Sequence, residues 1–146
     1  PETTLAGADL WAYRDRITES VSRLGVIHKF DVLVPPHLVD SLAGELRSRL
    51  SPHRLFVFGH LLAHDIHLNV APATPGAHLP GDVDDIVYDA VERVGGMAAG
   101  EHGVGRVKTD RVWASLREEQ RRIVEEQNRR LDPDGRLNPG VGRRFD

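Results

Sequence analysis

The sequence predicts an α+β fold, an antiparallel sheet with helices packed mainly on one face. Two observations carry this. Stretches with apolar residues at helical intervals alternate with short runs rich in Val, Ile, Leu and Phe. Two of those runs, residues 54–59 and 66–70, lie close enough along the chain to pair as a hairpin. At 146 residues the chain is long enough for one domain with a real core, and it contains no internal repeat.

The elements follow in order. Leu10, Trp11, Ile17, Val21 and Leu24 recur at roughly helical spacing, and Gly25 stops the helix. Residues 28–34 read as a strand, ended by Pro35-Pro36, which removes the donors of the ladder. Leu38, Leu42, Leu46 and Leu50 form the apolar stripe of a second helix. After the two β-like runs, the proline- and glycine-rich stretch 72–81 is a loop. Asp82 is placed to cap a helix whose apolar face is Val83, Ile86, Val87, Ala90 and Val94. Ser115-Leu116-Arg117-Glu118 has capping-box spacing and opens a highly charged helix to about Leu131. The tail, with Asp132-Pro133-Asp134-Gly135 and Asn138-Pro139-Gly140, is turn chemistry.

Composition removes several function classes. A net charge of −3 and a pI near 6.3 leave no global basic field, so nucleic acid and anionic membrane are not expected partners. Cysteine is absent, which excludes disulfides, thiolate metal sites and cysteine nucleophiles, and fits a cytoplasmic protein. No apolar run approaches the ~20 residues that span a bilayer. The first residues lack the basic-then-apolar pattern of a signal peptide. They also lack a methionine, so the chain is expected to be a piece of a longer protein.

The richest stretch is residues 95–105, where five glycines surround Glu101 and His102. Such a loop turns tightly and approaches ligands closely. Its carboxylate and imidazole offer one group for metal and one for proton transfer; a solvated turn is the plainer reading. Upstream, a hairpin turning at Ala63-His64 would set His60 opposite His67, with Cβ atoms about 5 Å apart. Two imidazoles so placed chelate a divalent ion, with Glu101 as the available third ligand; surface strand histidines are the plainer reading. Arg14 and Thr18 share a helix face, and Lys29 opens the first strand. Together the three can hold a carboxylate, or they can simply be solvated.

Five segments in order, 28–32, 58–61, 66–70, 100–105 and 131–140, resemble the C-terminal domain of the FAD-linked oxidases. That family includes D-lactate dehydrogenase, the glycolate oxidase FAD subunit and D-2-hydroxyglutarate dehydrogenase. Residues 10–19 are most similar to the last of these. The resemblance implies that residues 1–146 form a ferredoxin-like substrate cap behind an absent N-terminal FAD domain. It implies FAD as cofactor, a divalent metal such as zinc, and a small 2-hydroxy acid as substrate. A homodimer is compatible with it. By resemblance His60, His67 and Glu101 match metal ligands, and His102 matches the base that takes the hydroxyl proton while hydride passes to flavin. Asn69 matches a substrate contact, and Arg14, Thr18 and Lys29 match positions that bind a distal carboxylate. Such a piece is expected to be inactive alone. A non-catalytic metal- or ligand-binding module is the competing reading, and a metallohydrolase using the same three ligands is a third. One departure stands out. Leu62-Ala63-His64-Asp65 occupies the place of the family's Gly-Asp-Gly-Asn, so both glycines are lost and a further histidine enters.

Overall fold

The computed structural model describes residues 7–142. Five helices and three strands follow one another as α1 (Gly7–Ser22), β1 (His28–Leu33), α2 (Val39–Arg49), β2 (Arg54–His60), β3 (Asp65–Ala71), α3 (Val83–Arg93), α4 (Thr109–Ser115) and α5 (Glu118–Leu131). A short 3-10 turn, Pro36–Leu38, leads into α2. The sheet order is β1-β3-β2, with β3 antiparallel to both neighbours. β1 and β2 therefore run parallel on either side of β3, joined by α2 in a split β-α-β arrangement. On the outer edge of β1, Leu33 and Met97 exchange backbone hydrogen bonds of 3.0 and 2.9 Å. A fourth strand of the ferredoxin type is thus reduced to one bridge, and the chain leaves it as the glycine-rich loop. Gly96 permits the approach, because a Cβ there would lie 2.6 Å from the Leu33 carbonyl oxygen and 2.7 Å from Val91 Cγ1.

Strand alternation divides the sheet chemically. Phe30 and Val32 of β1 and Ile66, Leu68 and Val70 of β3 face the core. They pack on Leu42 and Leu46 of α2, on Leu50, and on Val83, Val87 and Val91 of α3. The helices thus cover one face, as the pattern predicts. The register places Lys29, Asp31, Asp65, His67, Asn69, Phe58 and His60 on the other.

The hairpin register corrects the expected one. His67 pairs with Phe58, and His60 pairs with Asp65. The loop has four residues, a 3-10 turn over Leu61–Ala63 and then His64 at φ 62°. A two-residue turn of type I′ needs positive φ at both central positions and one of type II′ needs glycine at the first, and Ala63-His64 meets neither demand. The longer loop needs positive φ only once, and leaves Leu62 97% exposed at its tip.

Two caps also differ from expectation. Asp82 stands at the N-cap of α3 but its side chain makes no capping bond. Ser115 closes α4 by donating to the Val112 carbonyl, and α5 begins at Glu118, with Gln120 accepting the Arg117 N–H at 2.9 Å. The short helix α4 was hidden by its mixed residues Thr109–Ser115.

Tyr88 lies on α3 against the core, edge-on to Phe30 at 5.2 Å, with Arg111 over its ring at 5.4 Å. Burial, assisted by the Asp84 carboxylate, pushes its phenol from 10 up to about 12. The folded value exceeds the unfolded one, so the phenol's contribution to stability is whole below pH 10 and is lost as pH rises toward 12. Phenolate absorbance is expected to show a step near pH 12 that Tyr88→Phe removes. The core makes a plainer prediction. Leu46→Ala should cost about 2–5 kcal/mol in denaturant unfolding, because Leu46 is fully buried, while Leu62→Ala should cost almost nothing.

Candidate active site on the polar face of the sheet

The polar face is built around Asp31, at the centre of β1 and 2% exposed. Its Oδ2 accepts the backbone N–H of His102 at 2.6 Å and that of Gly100 at 3.2 Å. Its carbonyl oxygen accepts the Gly100 N–H at 3.2 Å and a Lys108 ammonium proton at 3.5 Å. These bonds fold the glycine loop back onto the strand. Gly100 is required there, because a Cβ would collide with Asp31 Oδ1 and sit 2.6 Å from Asp65 Oδ1.

The folded loop sets Glu101 and His102 over β3. His67 Nε2 and His102 Nε2 each lie 3.4 Å from Glu101 Oε1. The two imidazoles stack with centroids 5.2 Å apart and planes at 20°. Behind them, His67 Nδ1 is 3.8 Å and His102 Nδ1 3.9 Å from the Asp31 carboxylate. Phe58 closes one side, its ring 5.3 Å from that of His67.

Asp31 and Asp65 share a buried corner. Neither Oδ1 has a hydrogen-bond partner. Burial first, and then the Asp31 carboxylate, raise the pKa of Asp65. Burial pushes Asp31 the same way, but the His102 N–H, the Asp65 carboxyl and the His102 charge outweigh it and bring its pKa below the usual range.

A cavity of about 170 Å³ opens on this face, lined by Thr18, Lys29, Phe30, Phe58, His67, Asn69, Glu101 and His102. The fold thus gathers six expected site residues: Thr18, Lys29, Asn69, His67, Glu101 and His102. Two stay apart. Arg14 is exposed, bonded to Asp15 at 3.0 Å and placed over the Trp11 ring. His60 is exposed at the end of β2 and contributes to neither group of converging metal-type ligands among the described residues. Those groups are Asp31, His67, His102 and Asp65, His67, Glu101.

Sequence reasoning assigned no role to Asp31 or Asp65. The signal was present. Asp31 is a carboxylate inside a β-run, where Asp is depleted, Asp65 directly precedes the run 66–70, and each falls on the face opposite the apolar residues.

Two substitutions test this geometry. Gly100→Ala puts a methyl between the carboxylates. It should lower stability by about 1–3 kcal/mol and speed hydrogen exchange at residues 100–102 while the sheet stays protected. Asp65→Asn keeps the shape and supplies an amide donor to Asp31 Oδ1. In metal-free protein it should raise Tm, by a stabilisation of about 1 kcal/mol.

Comparison with known proteins agrees with this architecture. The family described as "FAD linked oxidases, C-terminal domain" matches residues 2–141. The mitochondrial D-2-hydroxyglutarate dehydrogenase of Bos taurus is 37% identical over 132 residues, 89% of this chain and 24% of that protein. The Rattus norvegicus protein of that name is 35% identical over 89% of this chain and 25% of its own length. The D-2-hydroxyglutarate dehydrogenase of Xanthomonas citri pv. viticola is 30% identical over 91% of this chain and 30% of its own. The chain spans about a quarter of the length of the first two relatives. The expected cytoplasmic location does not stand, because the Bos taurus, Rattus norvegicus and Arabidopsis thaliana relatives are mitochondrial proteins by name. Absence of cysteine constrains only redox chemistry, and a mitochondrial matrix is compatible with it as well. By a match that runs almost end to end, the chain belongs to the FAD-linked oxidase C-terminal domain family.

Proposed function

We propose that this chain is the substrate-binding cap of an FAD-dependent 2-hydroxyacid dehydrogenase. The observation that carries the reading is the cavity on the polar face, where Lys29 and Thr18 meet Asn69, His67, Glu101 and His102. The Lys29 ammonium, itself donating to Ser22 at 3.1 Å, faces that cavity beside Thr18. Together they suit a carboxylate at one end of the substrate, with Arg14 one turn earlier on α1. Asn69 offers both a donor and an acceptor to the middle of the molecule. At the other end stand His67, Glu101 and His102.

When bound, flavin would supply a hydride acceptor, and a divalent ion beside His67 and Glu101 would supply a Lewis acid for the hydroxyl being oxidised. The protein's part is orientation and the proton. His102, held through its backbone N–H by Asp31, presents an imidazole that takes the hydroxyl proton. His67 and Glu101 are the expected metal ligands that come within 3.4 Å of each other, and an imidazole with a carboxylate fits such an ion. The relatives named D-2-hydroxyglutarate dehydrogenase favour a substrate with a second carboxylate, which the Lys29 end would receive.

In the parent flavoprotein carrying an N-terminal FAD domain, His102→Ala should lower kcat by about 10²–10⁴ while KM changes little. Lys29→Ala should raise KM for a dicarboxylic 2-hydroxy acid far more than for a monocarboxylic one. The 146-residue chain alone should elute without flavin absorbance after incubation with FAD. A parent that binds metal and hydroxy acid yet never reduces its flavin would instead be a binding module.

A further inference from the structure

The metal end of the site has a third group that the expected ligand set does not contain. Asp65 opens β3, two residues before His67, so both side chains emerge on the same face of the sheet. Its carboxyl is more than nine-tenths buried, and Oδ1 points at no donor. A ligand atom of Asp65 lies within 4.8 Å of those of His67 and Glu101. His60, whose expected place was opposite His67, instead stands opposite Asp65 at the exposed strand end.

The surrounding charge points the same way. Asp31, Asp65 and Glu101 bring three carboxyl groups around His67. Among the described residues, their ion-pair partners are histidines, and no Arg or Lys side chain pairs with them. Such a well attracts a cation. The Asp31, His67, His102 group is the weaker cage, because Asp31 Oδ2 is already used by two backbone N–H groups. Asp31 is better placed as a partner of His67 Nδ1 at 3.8 Å, leaving Nε2 to face Glu101. A carboxylate behind a metal-binding imidazole fixes its ring and tautomer.

We infer that in this chain a divalent cation is held by Asp65, His67 and Glu101, with Asp65 taking the place of His60. The inference rests on the metal-assisted reading above and changes its ligand set. One imidazole and two carboxylates form an oxygen-rich set, suited to Mn²⁺ and still leaving open positions for substrate oxygens. The loop sequence Leu62-Ala63-His64-Asp65 is what makes the exchange. It puts a carboxylate, Asp65, on the sheet face opposite His60, which stands at the exposed strand end.

The test is Mn²⁺ titration of the 146-residue chain, followed by the electron paramagnetic resonance signal of the free ion. Asp65→Asn should weaken binding by about tenfold or more, and His60→Ala should leave it within about twofold. Asp65→Asn is expected to raise Tm without metal, so thermal unfolding of the same samples separates loss of a ligand from loss of fold. If His60→Ala abolishes binding and Asp65→Asn does not, the inference is overturned and the metal-assisted reading stands with its family-type ligands. Equal binding by wild type and both variants also overturns it. If wild type binds neither Mn²⁺ nor Zn²⁺ while the parent flavoprotein turns over, the inference and the metal part of the reading fail together, and the flavin part survives.

Discussion

The site depends on one buried carboxylate. Asp31 sits mid-strand on a sheet whose other face is the apolar core. Placing a charged group there is costly unless it is hydrogen-bonded, and the glycine loop supplies the donors. Two backbone N–H groups on one carboxylate oxygen contribute roughly 1.5–3 kcal/mol each at most, as charge-assisted bonds do. Those bonds offset part of the conformational freedom that opposes ordering a glycine-rich segment. The dependence is mutual. The loop keeps Asp31 ionised, and Asp31 sets the place of Glu101 and His102 relative to His67.

Around this anchor the sheet separates tasks. Its apolar face needs α2 and α3 for stability and carries no chemistry. Its polar face needs no packing partner to hold the strands, so it is free to present His67, Asn69 and Lys29 to a cavity. Rigid strands beneath a short pinned loop give a preorganised site with one adjustable side, the loop side.

How much of this was legible follows from range. The strand and helix runs are local patterns of apolar residues, so β1, β3, α2 and α3 appear in the sequence within a residue or two. The order β1-β3-β2 and the parallel relation of the outer strands are not local, and only the hairpin half was readable. The hairpin itself slipped by two residues because turn length depends on backbone φ, and Leu-Ala-His-Asp gives no strong signal for any length. A slip of two keeps every side chain on its face, so His67 remained on the polar side while its partner changed from His60 to Phe58. Arg14 shows a different limit. Its spacing from Thr18 fixes a shared helix face but not the rotamer, and the guanidinium turns to Asp15 and Trp11. Asp31 lies within the segment 28–32, and its role is visible only in the fold, where the glycine loop from far along the chain lies on it.

The departure from the family pattern falls in this same hairpin loop. With both glycines absent, the reversal is a four-residue loop that ends on His64 at φ 62°, and His60 stands at an exposed strand end. The position of the family's Asn now carries Asp65, whose buried oxygen faces that of Asp31 without a donor between them. An amide at that position would satisfy Asp31 directly. A carboxyl there must instead keep a proton or meet a cation, and His67 and Glu101 stand beside it. The substitution therefore trades a self-sufficient hydrogen bond for a corner that is complete only when something positive fills it. A fold that stabilises such a corner with a dedicated core on the far side of the sheet can carry that local cost.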